Sequence, residues 1–182
     1  MRIQNYLHIY IASGLSILPL FLAGFTYLPI LLVAYILFMP LVDIYWKGVK
    51  WLSAISTRAI LLWVSCILCI AFLAELDSQR WLFVLTTLVF AALPEEWFYR
   101  GYLQTKFGNN YSAIILVSVF FSMAHVFSIS WIAGVLVFIP SLIFGYIYKK
   151  SQDLIFVVLL HTLSNLAYKL YIFDLIEEFL SL

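Results

Sequence analysis

Charge is scarce in this chain: ten Lys and Arg and nine Asp and Glu stand among 182 residues, 10% in all, where soluble domains carry roughly a quarter. The two signs nearly cancel, and no basic tail or aromatic-interleaved basic patch occurs, which excludes nucleic acid as a partner. Cysteine is limited to Cys66 and Cys69, both inside the apolar stretch Trp63-Val-Ser-Cys-Ile-Leu-Cys-Ile70. Thiol exchange needs a thiolate, which hydrocarbon disfavours, so this CxxC reads as part of a helix surface and identifies no compartment. The apolar runs also lack the strict alternation of a membrane barrel, and internal repeats, low-complexity segments and linkers are missing, so residues 1–182 read as one domain without strands.

What the chain does have is apolar length. Hydrophobic residues make up 65% of it and the mean hydropathy is +1.07, more apolar surface than a water-soluble fold could cover. About twenty residues cross a bilayer as a helix, and seven stretches of that order fit: 6–25, 27–46, 58–75, 81–103, 111–128, 131–148 and 153–170. Their junctions carry turn and interface residues: Gly24 and Pro29, then Asp77-Ser-Gln-Arg80, Gly108-Asn-Asn110 and Ser128-Ile-Ser130, with Trp46, Trp51, Trp81 and Trp131 placed for an aromatic belt. Met1-Arg2 and the apolar run from Tyr6 have the outline of a signal sequence, but no small-x-small cleavage site follows, so this segment is expected to stay as the first span. The C-terminal Phe-Leu-Ser-Leu carries no prenylation or retention signal.

With the N-terminus cytoplasmic, seven spans place Arg2, Lys47, Lys50, Arg58, Lys106, Lys149 and Lys150 on the cytoplasmic side, and only Arg80 and Lys169 outside, beside Asp174, Glu177 and Glu178. That distribution obeys the positive-inside rule. The expected architecture is therefore an all-α, polytopic transmembrane bundle with the lipid bilayer as its surroundings.

Against this background the few polar residues within spans stand out. Only fourteen uncharged residues separate Arg80 from Glu95 and Glu96, so the helix must run through the carboxylates to about Leu103 if it is to span. Carboxylates about two turns inside a membrane face a protein interior or a wet cavity and mark function; the bland alternative ends the helix at Pro94 and leaves the pair in water. Glu96 and Arg100 are four apart on one helix face and can pair. Glu95, rotated away by about 100°, is the carboxylate left free to act as a base.

Between Lys106 and Lys149, 42 residues carry no formal charge, and His125 is their one side chain that titrates near neutral pH. Phe121 lies one turn before it on the same face. In the last span His161 and Asn165 are four apart and point the same way from a helix otherwise rich in Leu, Val and Ile. Either histidine could be no more than an interhelical hydrogen bonder. Counting about 1.5 Å per residue, Glu95, His125 and His161 fall within roughly 10–20 Å of the cytoplasmic surface, so one cavity can collect all three. His8 has no polar partner at helical spacing and reads as structural.

Together Glu95-Glu-Trp-Phe-Tyr-Arg100-Gly101, Phe121-Ser-Met-Ala-His125 and His161-Thr-Leu-Ser-Asn165 resemble, in order and in separation, the EExxxR, FxxxH and HxxxN motifs of the CPBP family. That family contains type II CAAX prenyl endopeptidases, bacteriocin-processing or self-immunity proteins and related Abi proteins. The resemblance spans Glu95 to Asn165, and the catalytic core it implies covers about 81–170. It implies a glutamic-type intramembrane endopeptidase in which Glu95 with His125 activates water, His161 with Asn165 stabilises the oxyanion, and Glu96 and Arg100 hold the base in place. It further implies a protein or peptide substrate at the membrane, CAAX-like, a leader or a sorting signal, and no cofactor, in the plasma membrane of a prokaryote.

The physics is compatible: amide hydrolysis needs a base, oxyanion donors and limited water, and no Ser or Cys stands at helical spacing from either histidine to serve as nucleophile. Two rival readings use the same residues. One makes Glu95, His125 and His161 the ligands of a catalytic zinc, although they lack the compact HExxH spacing. The other is a non-catalytic immunity or scaffold protein that binds a peptide in the cavity.

Overall fold

The computed structural model describes residues 77–172 without a break and, before them, residues 36, 39–41, 43, 46–49, 62 and 64–69. Four helices there are long and apolar enough to cross a membrane: α1 Ser78–Gln104, α2 Tyr111–Ser128, α3 Trp131–Ser151 and α4 Leu154–Tyr171. They coincide with the last four stretches expected from the sequence, and the described residues contain no strand. Most of the first three predicted spans, the N-terminus, His8 and the acidic residues 174, 177 and 178 lie outside the described residues.

Each helix starts where a short polar side chain can satisfy its free N–H groups. Asp77, Asn110, Ser130 and Asp153 accept from the backbone of Arg80, Ala113, Ala133 and Phe156 at 2.8–3.1 Å. Between α1 and α2 the chain turns through left-handed Gly108 (φ 94°) and Asn109 (φ 49°), conformations that these two residue types tolerate. Ile129 and Ser130 alone join α2 to α3, and Gly134 permits the close packing that follows: a Cβ there would stand 2.9 Å from the Ser122 carbonyl oxygen.

The path of α1 departs from a plain α-helix. Regular turns over Ser78–Thr87 and Leu93–Glu96 alternate with wide π-type turns over Leu88–Ala92 and Trp97–Gln104. The first wide turn explains why Pro94 does not end the helix. A proline lacks the N–H of the normal ladder and clashes with the carbonyl four residues back, and here the ladder is already re-registered, with Leu93 N–H donating to Leu88. The helix therefore carries Glu95 and Glu96 into the bundle.

Three apolar clusters fix α1 along its length. Val84 packs with Ile67 and Leu166, Ala92 with Phe144, Leu154 and Val157, and Phe98, Tyr99, Tyr102 and Leu103 with Val117, Phe121 and Ile36. Asp43 accepts from the Tyr102 hydroxyl at 2.8 Å and pairs with Lys106 at 2.6 Å, tying the second predicted span to the end of α1. Only 28–33% of each span's most apolar window is buried, so Leu82, Leu85, Val89 and Phe90 of α1 and Val135, Ile139 and Ile143 of α3 present an outer surface that lipid, not water, would solvate.

Four consecutive antiparallel spans carry a prediction about topology. Reporters fused at Asn109 and after Leu182 should give opposite signals, with Asn109, beside Lys106 and on the same side as Lys149 and Lys150, on the cytoplasmic side. Equal signals would contradict the four-span arrangement.

Candidate active site

Glu96 is the centre of a buried polar cluster. It is completely enclosed, as is Arg100, and its Oε2 lies 3.0 Å from the Arg100 Nε. The i, i+4 pairing expected from the sequence therefore forms, even though wide turns begin at Trp97. Its second oxygen, Oε1, accepts from His161 Nδ1 at 2.8 Å. A carboxylate is an acceptor only, so His161 carries a proton on Nδ1 and turns Nε2 the other way. That nitrogen stands 3.8 Å from Glu95 Oε2, too far for a direct hydrogen bond and near enough for one water to touch both.

Glu95 differs from its neighbour in exposure and in lacking a cationic guanidinium partner among the described residues. Its side chain is 21% exposed, and its Oε2 is buried without a hydrogen-bond partner among the described residues. Arg100, by contrast, is anchored through Nη2 and through its ion pair with Glu96. Its Nη2 donates to the Ser141 hydroxyl at 2.9 Å and the Ser141 carbonyl at 3.2 Å, and its guanidinium carbon lies 4.8 Å from the centre of the Phe121 ring. The Ser141 hydroxyl in turn donates to Ser118 at 3.0 Å.

Phe121 joins the remaining parts. Its ring centre is 4.4 Å from that of His125, 5.9 Å from that of His161 and 5.0 Å from that of Tyr99. His125 is half-buried and donates Nδ1–H to the Phe121 carbonyl at 2.9 Å, and its Nε2 has no hydrogen-bond partner among the described residues. On its other side His161 stacks on Phe144, with ring centres 5.4 Å apart. Asn165 is half-buried one turn beyond His161, and its amide has no hydrogen-bond partner among the described residues.

The structure thus gathers Glu95, Glu96, Arg100 and His161 directly, reaches His125 through Phe121, and leaves Asn165 beside the cluster. Glu95 and His125, paired in the sequence reading, make no hydrogen bond or ion pair with each other among the described residues, and Glu96 engages His161 instead. Sequence reasoning missed Ser118, Ser141 and Phe144. The two serines had a signal: isolated hydroxyls inside long apolar spans need partners within the bundle.

A catalytic zinc needs three protein ligands at about 2.0–2.2 Å. Among the described residues no three His, Cys, Asp or Glu side chains form a group that could hold a metal ion, and Glu96 and His161 Nδ1 already bind each other. Cys66 and Cys69 are free thiols, half-buried and exposed respectively.

No curated protein and no solved structure matches the chain. Residues 77–167, half of its length, match the family described as type II CAAX prenyl endopeptidase Rce1-like, and this stretch holds Glu95, Glu96, Arg100, His125, His161 and Asn165 on four apolar helices; the chain belongs to that family.

Proposed function

We propose that this protein is a glutamic-type intramembrane endopeptidase in which Glu95 activates water. One observation carries the reading: of two adjacent carboxylates, Glu96 is engaged by the Arg100 charge on one oxygen and by His161 on the other, while the buried Oε2 of part-exposed Glu95 has no hydrogen-bond partner among the described residues and lies 3.8 Å from His161 Nε2. A general base needs that freedom, and a structural carboxylate does not.

In the proposed step a water beside Glu95 gives its proton to the carboxylate, and the resulting hydroxide adds to the peptide carbonyl carbon. When His161 Nε2 also carries a proton it donates to the oxyanion, with the Asn165 amide as second donor one turn along; Glu96 and Arg100 fix the imidazole through Nδ1. Collapse of the intermediate breaks the C–N bond, and protonated Glu95 returns its proton to the leaving amine. Nε2 of His125 orients the water or the scissile amide, and the Phe121 ring limits further solvent. Every proton has a donor and an acceptor within the chain or the substrate.

The substrate is a protein or peptide held at the bilayer: a CAAX-like C-terminal peptide by the family's description, with leader and sorting peptides as the other forms. The same reading takes residues 1–182 as one seven-span domain with a cytoplasmic N-terminus in a prokaryotic plasma membrane, working without a cofactor.

The test is purified protein in lipid nanodiscs, given matched farnesylated and unmodified peptides ending in a CAAX sequence, together with a survey of new protein termini in membranes of expressing cells. Cleavage products that vanish with Glu95→Gln are expected. A complete lack of Glu95-dependent termini in both assays would leave the non-catalytic scaffold as the better reading.

A further inference from the structure

Arg100 has no solvent around it, yet its charge must be both balanced and aimed. Glu96 supplies the balance. The aim comes from elsewhere: Nη2 is held by both the hydroxyl and the carbonyl of Ser141, on α3, 41 residues away in sequence. Ser141 is completely buried, as is its partner Ser118 on α2 at 1% exposure. The hydrogen bonds run in one direction, Arg100 Nη2 to Ser141 Oγ to Ser118 Oγ, so each bond polarises the next. On its other edge the same guanidinium faces Glu96, and Glu96 faces His161. A continuous polar chain thus links α2, α3, α1 and α4, ending at the imidazole nitrogen that faces away from the reacting side.

We propose that Ser141, backed by Ser118, is a positioning residue for His161, acting through Arg100 and Glu96. Without the Ser141 hydroxyl the guanidinium keeps only a carbonyl at 3.2 Å on that edge and is free to rotate its fork. Glu96 then loses its fixed partner, and His161 Nδ1 loses a fixed acceptor. An effect of this kind falls on turnover, because misplacing a catalytic group by about 1 Å costs on the order of 100-fold. Substrate affinity is little touched, since neither serine reaches the reacting atoms. The proposal rests on the reading that Glu96 and His161 belong to the catalytic machinery.

Two measurements on the full-length protein in nanodiscs test it. The first is steady-state kinetics of Ser141→Ala, Ser141→Thr and Ser118→Ala beside Glu95→Gln. Ser141→Ala should lower kcat about 10- to 100-fold with KM within about twofold of wild type, Ser118→Ala should lower kcat by less, and Ser141→Thr, which keeps the hydroxyl, should recover most of it. The second is the downfield NMR signal of the His161 Nδ1 proton, assigned by its loss in His161→Gln. It should weaken or shift in Ser141→Ala and in Ser118→Ala and persist in Ser141→Thr. An inactive Glu95→Gln with fully active Ser141→Ala overturns the positioning role and leaves the protease reading standing. An active Glu95→Gln removes Glu95 from the role of base, and the kinetics and the NMR signal of the serine variants then decide the positioning role on their own. Should Ser141→Ala not fold, Ser118→Ala decides: wild-type kcat with an unshifted His161 signal overturns the proposal.

Discussion

Glu95→Gln should abolish cleavage, lowering kcat by a factor on the order of 10² to 10⁴, while the protein inserts and melts as wild type does. Two features of the site separate these effects. Glutamine matches the volume of glutamate, so the surrounding packing is kept. The Glu95 Oε2 has no hydrogen-bond partner among the described residues, so the substitution breaks no hydrogen bond of that oxygen there and the stability should stay within about 0.5 kcal/mol of wild type. What disappears is the proton acceptor. Measuring kcat and thermal unfolding on the same preparation decides the matter, and full activity of the variant would remove Glu95 from the role of base.

Arg100→Ala should fail in a different way, losing activity and stability together. It removes the partner of Glu96 Oε2, the donor to Ser141 and the cation over Phe121 from a place with no solvent. Deleting one member of a buried ion pair costs about 3–5 kcal/mol, because the remaining charge has nowhere to be solvated. Arg100→Lys should recover little, since a single ammonium cannot span Glu96 on one edge and Ser141 on the other as the planar fork does. Unfolding by denaturing detergent, followed by tryptophan fluorescence, reads the effect. A loss below about 1 kcal/mol would mean that Glu96 and Arg100 are wetter than their enclosure indicates.

The contrast between these variants follows from a division that local spacing already indicates. Glu96 and Arg100 meet because four residues bring side chains to one helix face, and His161 and Asn165 share a face for the same reason. Helix boundaries were equally accessible, since Asp77, Asn110, Ser130 and Asp153 are residue types that cap helices and stand where apolar runs begin. Contacts between helices were not. The Glu96–His161 bond joins residues 65 apart, and the Arg100–Ser141 bond residues 41 apart; both depend on how each helix is rotated about its axis, which an apolar stretch barely encodes when lipid and core are similarly apolar. The wide turns of α1 add to this rotation and have no sequence mark beyond Pro94. Depth is therefore readable from sequence and partnership is not: the sequence reading has Glu96 and Arg100 hold Glu95 in place, and the second partner of Glu96 is His161.

Elemental analysis of the purified protein, with turnover measured on the same sample, tests most directly whether a carboxylate and not a metal activates the water. Chelator inhibition alone would not decide, because hydrophobic chelators can fill a membrane cavity and added zinc can bind Glu95 and His161 in an otherwise metal-free enzyme. If Glu95 takes the proton itself, thoroughly dialysed protein should hold well below one equivalent of zinc and cleave at an undiminished rate. Zinc at one equivalent, rising and falling with activity as it is removed and restored, would contradict the glutamate mechanism.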